Sequence, residues 1–198
     1  MRHIKITGLL LLCVAALVCV QTYYCPPQGC ALPGAWQFNR LKNRTALPRA
    51  ADFDGRVTLA ALLAPGDDHA RWSEARAAAV EGYVVAVTEA RSEGANCYSP
   101  TRRDAHIDVA LDRAAPPHRR VVVEVTPRLR DWARAQGQDW SAATLRRELT
   151  GRWCRFEGWL FFDDRHAGEA ENTMPGRAEN WRATAWEIHP VTAIKVVR

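Results

Sequence analysis

No Walker loop, GxSxG elbow, HExxH helix or glycine-rich dinucleotide fingerprint occurs in the 198 residues. P-loop phosphoryl transfer, serine-elbow acyl transfer, zincin proteolysis and Rossmann-type hydride transfer therefore have no motif to rest on. No internal repeat stands out. Lysine is scarce, at three against 24 arginines, so the net charge of +5 comes mostly from arginine. That charge admits a polyanionic partner, although arginine usage reflects genome composition as readily as phosphate binding, and charge speaks to association rather than to a reaction. The chain is not polar enough for wholesale disorder: 47% of it is hydrophobic and 25% charged. This composition suits one packed domain with extra segments.

Long apolar runs are also lacking, with one exception. Residues 8–20 follow Arg2, His3 and Lys5, the basic-then-apolar order of a secretory signal. Extended over residues 6–24, the run reaches the roughly 17–25 residues of a membrane span, with Tyr23 and Tyr24 at the interface. A small-x-small cleavage site is missing, and none of Cys13, Cys19 and Cys25 follows a small residue. Residues 1–24 are thus expected to be an N-terminal apolar helix, an uncleaved membrane anchor in preference to a cleaved signal. The basic residues before the run place the rest of the chain outside the cytoplasm, tethered to the cell membrane or, after cleavage, secreted or periplasmic.

Of six cysteines, Cys25, Cys30, Cys97 and Cys154 lie beyond the apolar run. Only the first two are close in sequence, so the two paired clusters of a zinc site are absent. An oxidising compartment permits three pairings, and Cys25 with Cys30 can close a small loop. Residues 25–79 carry prolines, glycines and scattered basic residues without a sustained period, and are read as a linker and poorly defined segment. Residues 80–198 form the folded domain. Residues 80–88 are β-branched and aromatic with a glycine bend, residues 106–111 alternate with period two, and residues 120–126 run to Pro127. Ser141 caps a helix over residues 142–149, with Gly151 just past its end. Residues 152–162 give a fourth strand, and residues 181–197 a fifth.

Three strands, a helix and two strands make up the order of an OB-fold barrel, and residues 80–197 resemble that superfamily. Glu81-Gly82-Tyr83-Val84 and Glu157-Gly158-Trp159-Leu160 are similar to its glycine-bent first and fourth strands. The ending Trp181-Arg182-Ala183-Thr184-Ala185-Trp186-Glu187-Ile188-His189-Pro190 also resembles that of small bacterial domains with no established activity. The expected fold is mainly β: a five-stranded OB-like barrel with one helix between strands three and four. In such a barrel the first and fourth strands are antiparallel neighbours, which implies a disulfide between Cys97 and Cys154.

The resemblance also organises the ionisable residues. Alternation puts His106 and Asp108 on one face of strand two, and Glu187 and His189 on one face of strand five, with Trp186 and Ile188 facing the core. Strands two, three and five adjoin in an OB barrel, so His106, Asp108, Glu124, Glu187 and His189 are expected on one polar surface. Such side chains trade protons near neutral pH or bind divalent metals; no cofactor is specified. A solvated exterior accounts for the same alternation, with each cross-strand pair worth a few tenths to about 1 kcal/mol.

His166 follows Asp163 and Asp164 in a loop that can fold over this surface. Trp153 and Trp159 share a face of strand four and suit core or helix packing. Trp181 and Trp186 are the stacking candidates, with Arg102, Arg103 and Arg120 as loop-edge charge. Glu124-Val125-Thr126-Pro127 is loosely similar to the acidic corner before Thr-Pro in staphylococcal-nuclease-like enzymes. The acid lies one residue too early, however, and that family's calcium carboxylates and catalytic arginines find no match. The expected function is an extracytoplasmic binding module for nucleic acid or oligosaccharide. The alternatives are a metal-dependent, nuclease-like hydrolase and a cell-envelope protein-interaction domain.

Overall fold

The computed structural model describes residues 25–198; the expected N-terminal anchor or signal lies outside them. Among the described residues no helix is long and apolar enough to cross a membrane. The strands are β1 (Ala77–Glu89), β2 (Ala105–Ala110), β3 (Val121–Val125), β4 (Trp153–Phe162) and β5 (Trp186–Val196). They form a closed barrel in the order β1-β2-β3-β5-β4. The chain is therefore mainly β, with a topology compatible with an OB-like fold. β1 is long enough to serve two neighbours: residues 77–83 pair with β4 and residues 83–89 with β2. The circle closes where β3 and β5 run parallel, with Val123 opposite Ile188.

Two glycines allow the barrel to tighten. A β-carbon on Gly82 would meet the side chains of Leu59 and Val109, and one on Gly158 would meet Ile188 and the Pro190 carbonyl. Without side chains these positions let another element cross close to the strand. The interior is filled by alternate residues of each strand, among them Val80, Val84, Ile107, Val109, Val123, Phe156, Leu160, Trp186 and Ile188. Trp153 and Trp159 share a face as expected, but it is the outer one. They sit half-buried there, Trp153 against Tyr83 at 6.2 Å and Trp159 donating to the Ala46 carbonyl at 2.7 Å.

The helices among the described residues are α1 (Trp36–Lys42), α2 (Leu59–Leu63), α3 (Pro127–Ala135) and α4 (Ala142–Leu149). Where one helix was expected between β3 and β4, there are two. Pro127 ends the strand and also opens α3, because a helix tolerates proline at its first position. Thr126 accepts the Leu129 amide as N-cap, and Ser141 does the same for Thr144 in α4. Leu129, Ala133, Leu145 and Leu149 join the core from these helices.

Residues 25–79 do not act as a spacer. Val57, Leu59 and Leu62 belong to the barrel's core cluster. Arg44 donates to the carbonyls of Glu74 (2.6 Å) and Leu160 (2.8 Å). The Asn43 amide donates to the Ala95 carbonyl at 2.8 Å. The proline- and glycine-rich composition reflects an irregular path over the barrel surface, held by side-chain hydrogen bonds to backbone instead of by a period.

The expected Cys97–Cys154 bridge is replaced by Cys25–Cys97, with α-carbons 5.7 Å apart. The reason lies in the register. Cys154 pairs with Gly82 in the middle of β1, well before the loop that carries Cys97. Its thiol sits in the core cluster, where burial pushes its pKa up to about 11. Cys97 instead follows the turn Gly94–Asn96, against which residues 25–43 pack.

Candidate functional site

The outer face of the β2–β3–β5 wall carries the site. In β2 the residues Ala105, Ile107 and Val109 point into the core, which turns His106 and Asp108 outward. In β3 the same alternation turns Glu124 outward, directly opposite His106. In β5 it turns Glu187 and His189 outward, and the parallel pairing at Val123 and Ile188 brings them beside Glu124. The five residues expected on one surface are thus together.

They form a continuous ionic row. Asp108 faces His106 Nε2 at 3.1 Å, and His106 Nδ1 lies 3.0 Å from Glu124. Glu124 lies 3.3 Å from His189 Nδ1, which is 3.0 Å from Glu187. Glu187 pairs with Arg182 at 2.8 Å, and Arg182 reaches Asp163 at 3.4 Å. His166 Nδ1 ends the row on Asp163 at 2.5 Å.

The solvated exterior expected from alternation survives only in part, at half-buried His106 and Asp108. His189 and Arg182 are 0% exposed, Asp104 is 1% and Glu187 is 2%. Three segments cover the wall: α1 with Phe38 and Lys42, the β1–β2 loop with Glu93 and Asn96, and residues 163–182. Phe161 packs between Phe38 (4.9 Å) and His189 (5.3 Å). Together these segments enclose a cavity of about 460 Å³, into which Lys42, Glu93, Asp104, Glu124, His166 and Trp181 face. A larger cavity of about 730 Å³ near Leu63 and Asn172 is lined by loop residues such as Asp67, His69 and Glu171, and none of the ionic row reaches it.

Burial and charge set the protonation pattern. Burial, reinforced by Glu93 and Glu124, pushes the Asp104 carboxyl up to about 8. Burial works against ionised Glu124, but His189, His106 and Lys42 outweigh it and hold Glu124 well below the usual carboxylate range. For His106, burial opposes the charge, and the hydrogen bonds to Asp108 and Glu124 reverse this and raise it to about 10. Lys42 is raised in the same way by Glu93, Glu124 and Asp104 against its own desolvation. His189 is raised chiefly by Glu124 and Glu187 against complete burial.

The other sequence candidates divide. His166 and Trp181 line the cavity, and the Trp181 ring stands 5.6 Å from His106 and 5.7 Å from His166. Trp186 is no stacking surface: it lies in the core, with its indole donating to the Asp68 carbonyl at 2.8 Å. Arg102 is engaged by Asp131 (2.6 Å), Arg103 by Glu89, and Arg120 by Asp108 (3.3 Å).

Asp104, Lys42, Glu93 and Arg182 were not among the candidates. Asp104 extends the alternation of His106 and Asp108 one step back along the chain, and that signal was present in the sequence. Its carboxylate accepts the Asn96 amide at 2.9 Å. Lys42, from the segment read as linker, pairs at 2.6 Å with Glu93, from the stretch between the first two expected strands. Comparison with family models, curated proteins and solved structures finds no match for this chain.

Proposed function

We propose that this chain is an extracytoplasmic binding barrel that takes one ring of an oligosaccharide into the cavity beside Trp181. The observation that carries this reading is the enclosure of an aromatic face and several carboxylates in one cavity of about 460 Å³. That volume falls in the usual range of small-ligand sites. Sugar hydroxyls donate to carboxylates, and a sugar ring packs on an indole face. A nucleic-acid strand fits the same lining poorly. Lys42, Arg91, Arg165 and Arg182 stand among Glu93, Glu124, Asp163 and Glu187 there, so the lining lacks the excess of positive charge that a phosphate chain needs, and the loop-edge arginines of the sequence reading already pair with acids. The Cys25–Cys97 pairing is in keeping with an oxidising compartment outside the cytoplasm.

Calorimetric titration with a panel of neutral and acidic oligosaccharides, and with a single-stranded oligonucleotide, tests the reading. The expected result is saccharide binding that varies little between low and moderate salt and weakens at least about tenfold in Trp181→Ala; one tenfold step corresponds to about 1.4 kcal/mol. Oligonucleotide binding with a steep salt slope, or saccharide binding untouched by Trp181→Ala, would overturn it.

A further inference from the structure

We propose that Asp104, Glu124 and His189 form a divalent-cation site at the floor of the cavity, with Glu187 and Arg182 holding the imidazole in place. One ligand atom from each of the three lies within 4.8 Å of the others. The inference stands apart from the saccharide reading, since it concerns the protein alone.

The imidazole's orientation carries it. His189 Nδ1 sits 3.0 Å from Glu187 and 3.3 Å from Glu124. Both partners are acceptors, so Nδ1 bears the hydrogen and donates it. Arg182 fixes Glu187 from the far side at 2.8 Å. This is the arrangement by which a carboxylate outside the coordination sphere orients a metal-binding histidine. Nε2 is then turned towards Asp104, 3.9 Å away, and has no hydrogen-bond partner among the described residues; an ion bound there takes the place of the ring's second proton, which is released to solvent. A fully buried ring nitrogen left in that state is rare in folded proteins and calls for a missing bond.

Distances allow that bond. Ligand bonds of about 2.0–2.2 Å keep neighbouring donor atoms roughly 3–3.5 Å apart, so a small closure of Asp104 on His189 admits an ion. Asp104 and Glu124 both line the cavity, which gives the ion its way in. One imidazole and two carboxylates suit a first-row ion such as Mn²⁺ or Zn²⁺ better than Ca²⁺ or Mg²⁺, which favour oxygen alone. Lys42, Arg182 and His106 bring positive charge close by, so micromolar binding is expected here, well short of the tightest metal sites.

The test uses the full chain in detergent, stripped with chelator and titrated with Mn²⁺ and with Zn²⁺ by calorimetry, with Mn²⁺ also followed by electron paramagnetic resonance. One equivalent should bind. Asp104→Asn and Glu187→Gln should each weaken binding at least tenfold while the circular dichroism spectrum is kept. The ¹⁵N resonance of His189 Nε2 in the wild-type protein should shift on adding Zn²⁺, a readout that needs no variant to fold. Absence of stoichiometric uptake at millimolar ion, equal affinity in a folded Asp104→Asn variant, or an unmoved Nε2 resonance would each overturn the proposal.

Discussion

The two faces of the β2–β3–β5 wall are both largely covered, the outer one less completely at His106 and Asp108, yet they are made of opposite materials. The inner face is alanine, valine, isoleucine and tryptophan; the outer face is aspartate, glutamate, histidine and arginine. Burying apolar surface stabilises by roughly 25 cal/mol per Å². Burying an ion costs several kcal/mol before its partner returns any of it, and well-packed apolar residues would often serve stability as well or better. The inner face therefore accounts for why the chain folds. The outer face has no comparable claim, and its ionic row is in keeping with the binding role proposed for the cavity above it.

That contrast can be broken at its strongest points first. Ile107→Ala, on the inner face, should lower unfolding stability by about 2–5 kcal/mol through a cavity. Arg182→Ala should cost a similar amount, about 3–5 kcal/mol, because it takes the shared guanidinium from buried Glu187 and Asp163 and leaves each with a histidine alone. Urea unfolding measures both. A cost below about 1 kcal/mol for Arg182→Ala would mean that the outer row is effectively solvated.

A smaller effect separates the faces by pH. His166 and Arg182 outweigh burial and hold the Asp163 carboxyl down at about 2, against an ordinary 3.8. A depressed folded-state value stabilises above the unfolded one, so Asp163 contributes about 2 kcal/mol that is present above pH 4 and fades as the pH drops towards 2. Asp163→Asn should flatten that part of the acid limb. Parallel acid loss in wild type and variant would show that the row does not carry it. The smallest effect lies outside both faces: Ser141→Ala removes the α4 cap and should cost about 1 kcal/mol at every pH, which sets the scale for an ordinary local loss.

Much of this contrast was legible in the chain. Period-two alternation at Ile107 and Val109 against His106 and Asp108, and at Trp186 and Ile188 against Glu187 and His189, gives the two faces, because a strand has only two. The closed barrel was implied by the likeness of the strand and helix order to an OB fold. What covers the outer face did not follow. Phe38, Lys42 and Glu93 reach it from residues without a period, held by contacts such as Asn43 to Ala95 that join positions 52 apart. Without that cover, the outer face reads as solvated. The cysteine pairing failed for a related reason: neighbouring strands fix which residues lie opposite each other, whereas a loop goes where its own packing takes it.

The Cys25–Cys97 bond has a topological consequence. It turns residues 25–97 into a covalent ring, and the cavity is the seam where that ring meets the rest of the chain. Phe38, Lys42, Arg91 and Glu93 lie on the ring, while Asp104, Glu124, His166, Trp181 and Glu187 lie off it. Cutting the sulfur bridge leaves the barrel's strand ladders whole and loosens one lip of the cavity from the other. A reducing environment would act first on the mouth of the site and only afterwards on the barrel beneath it.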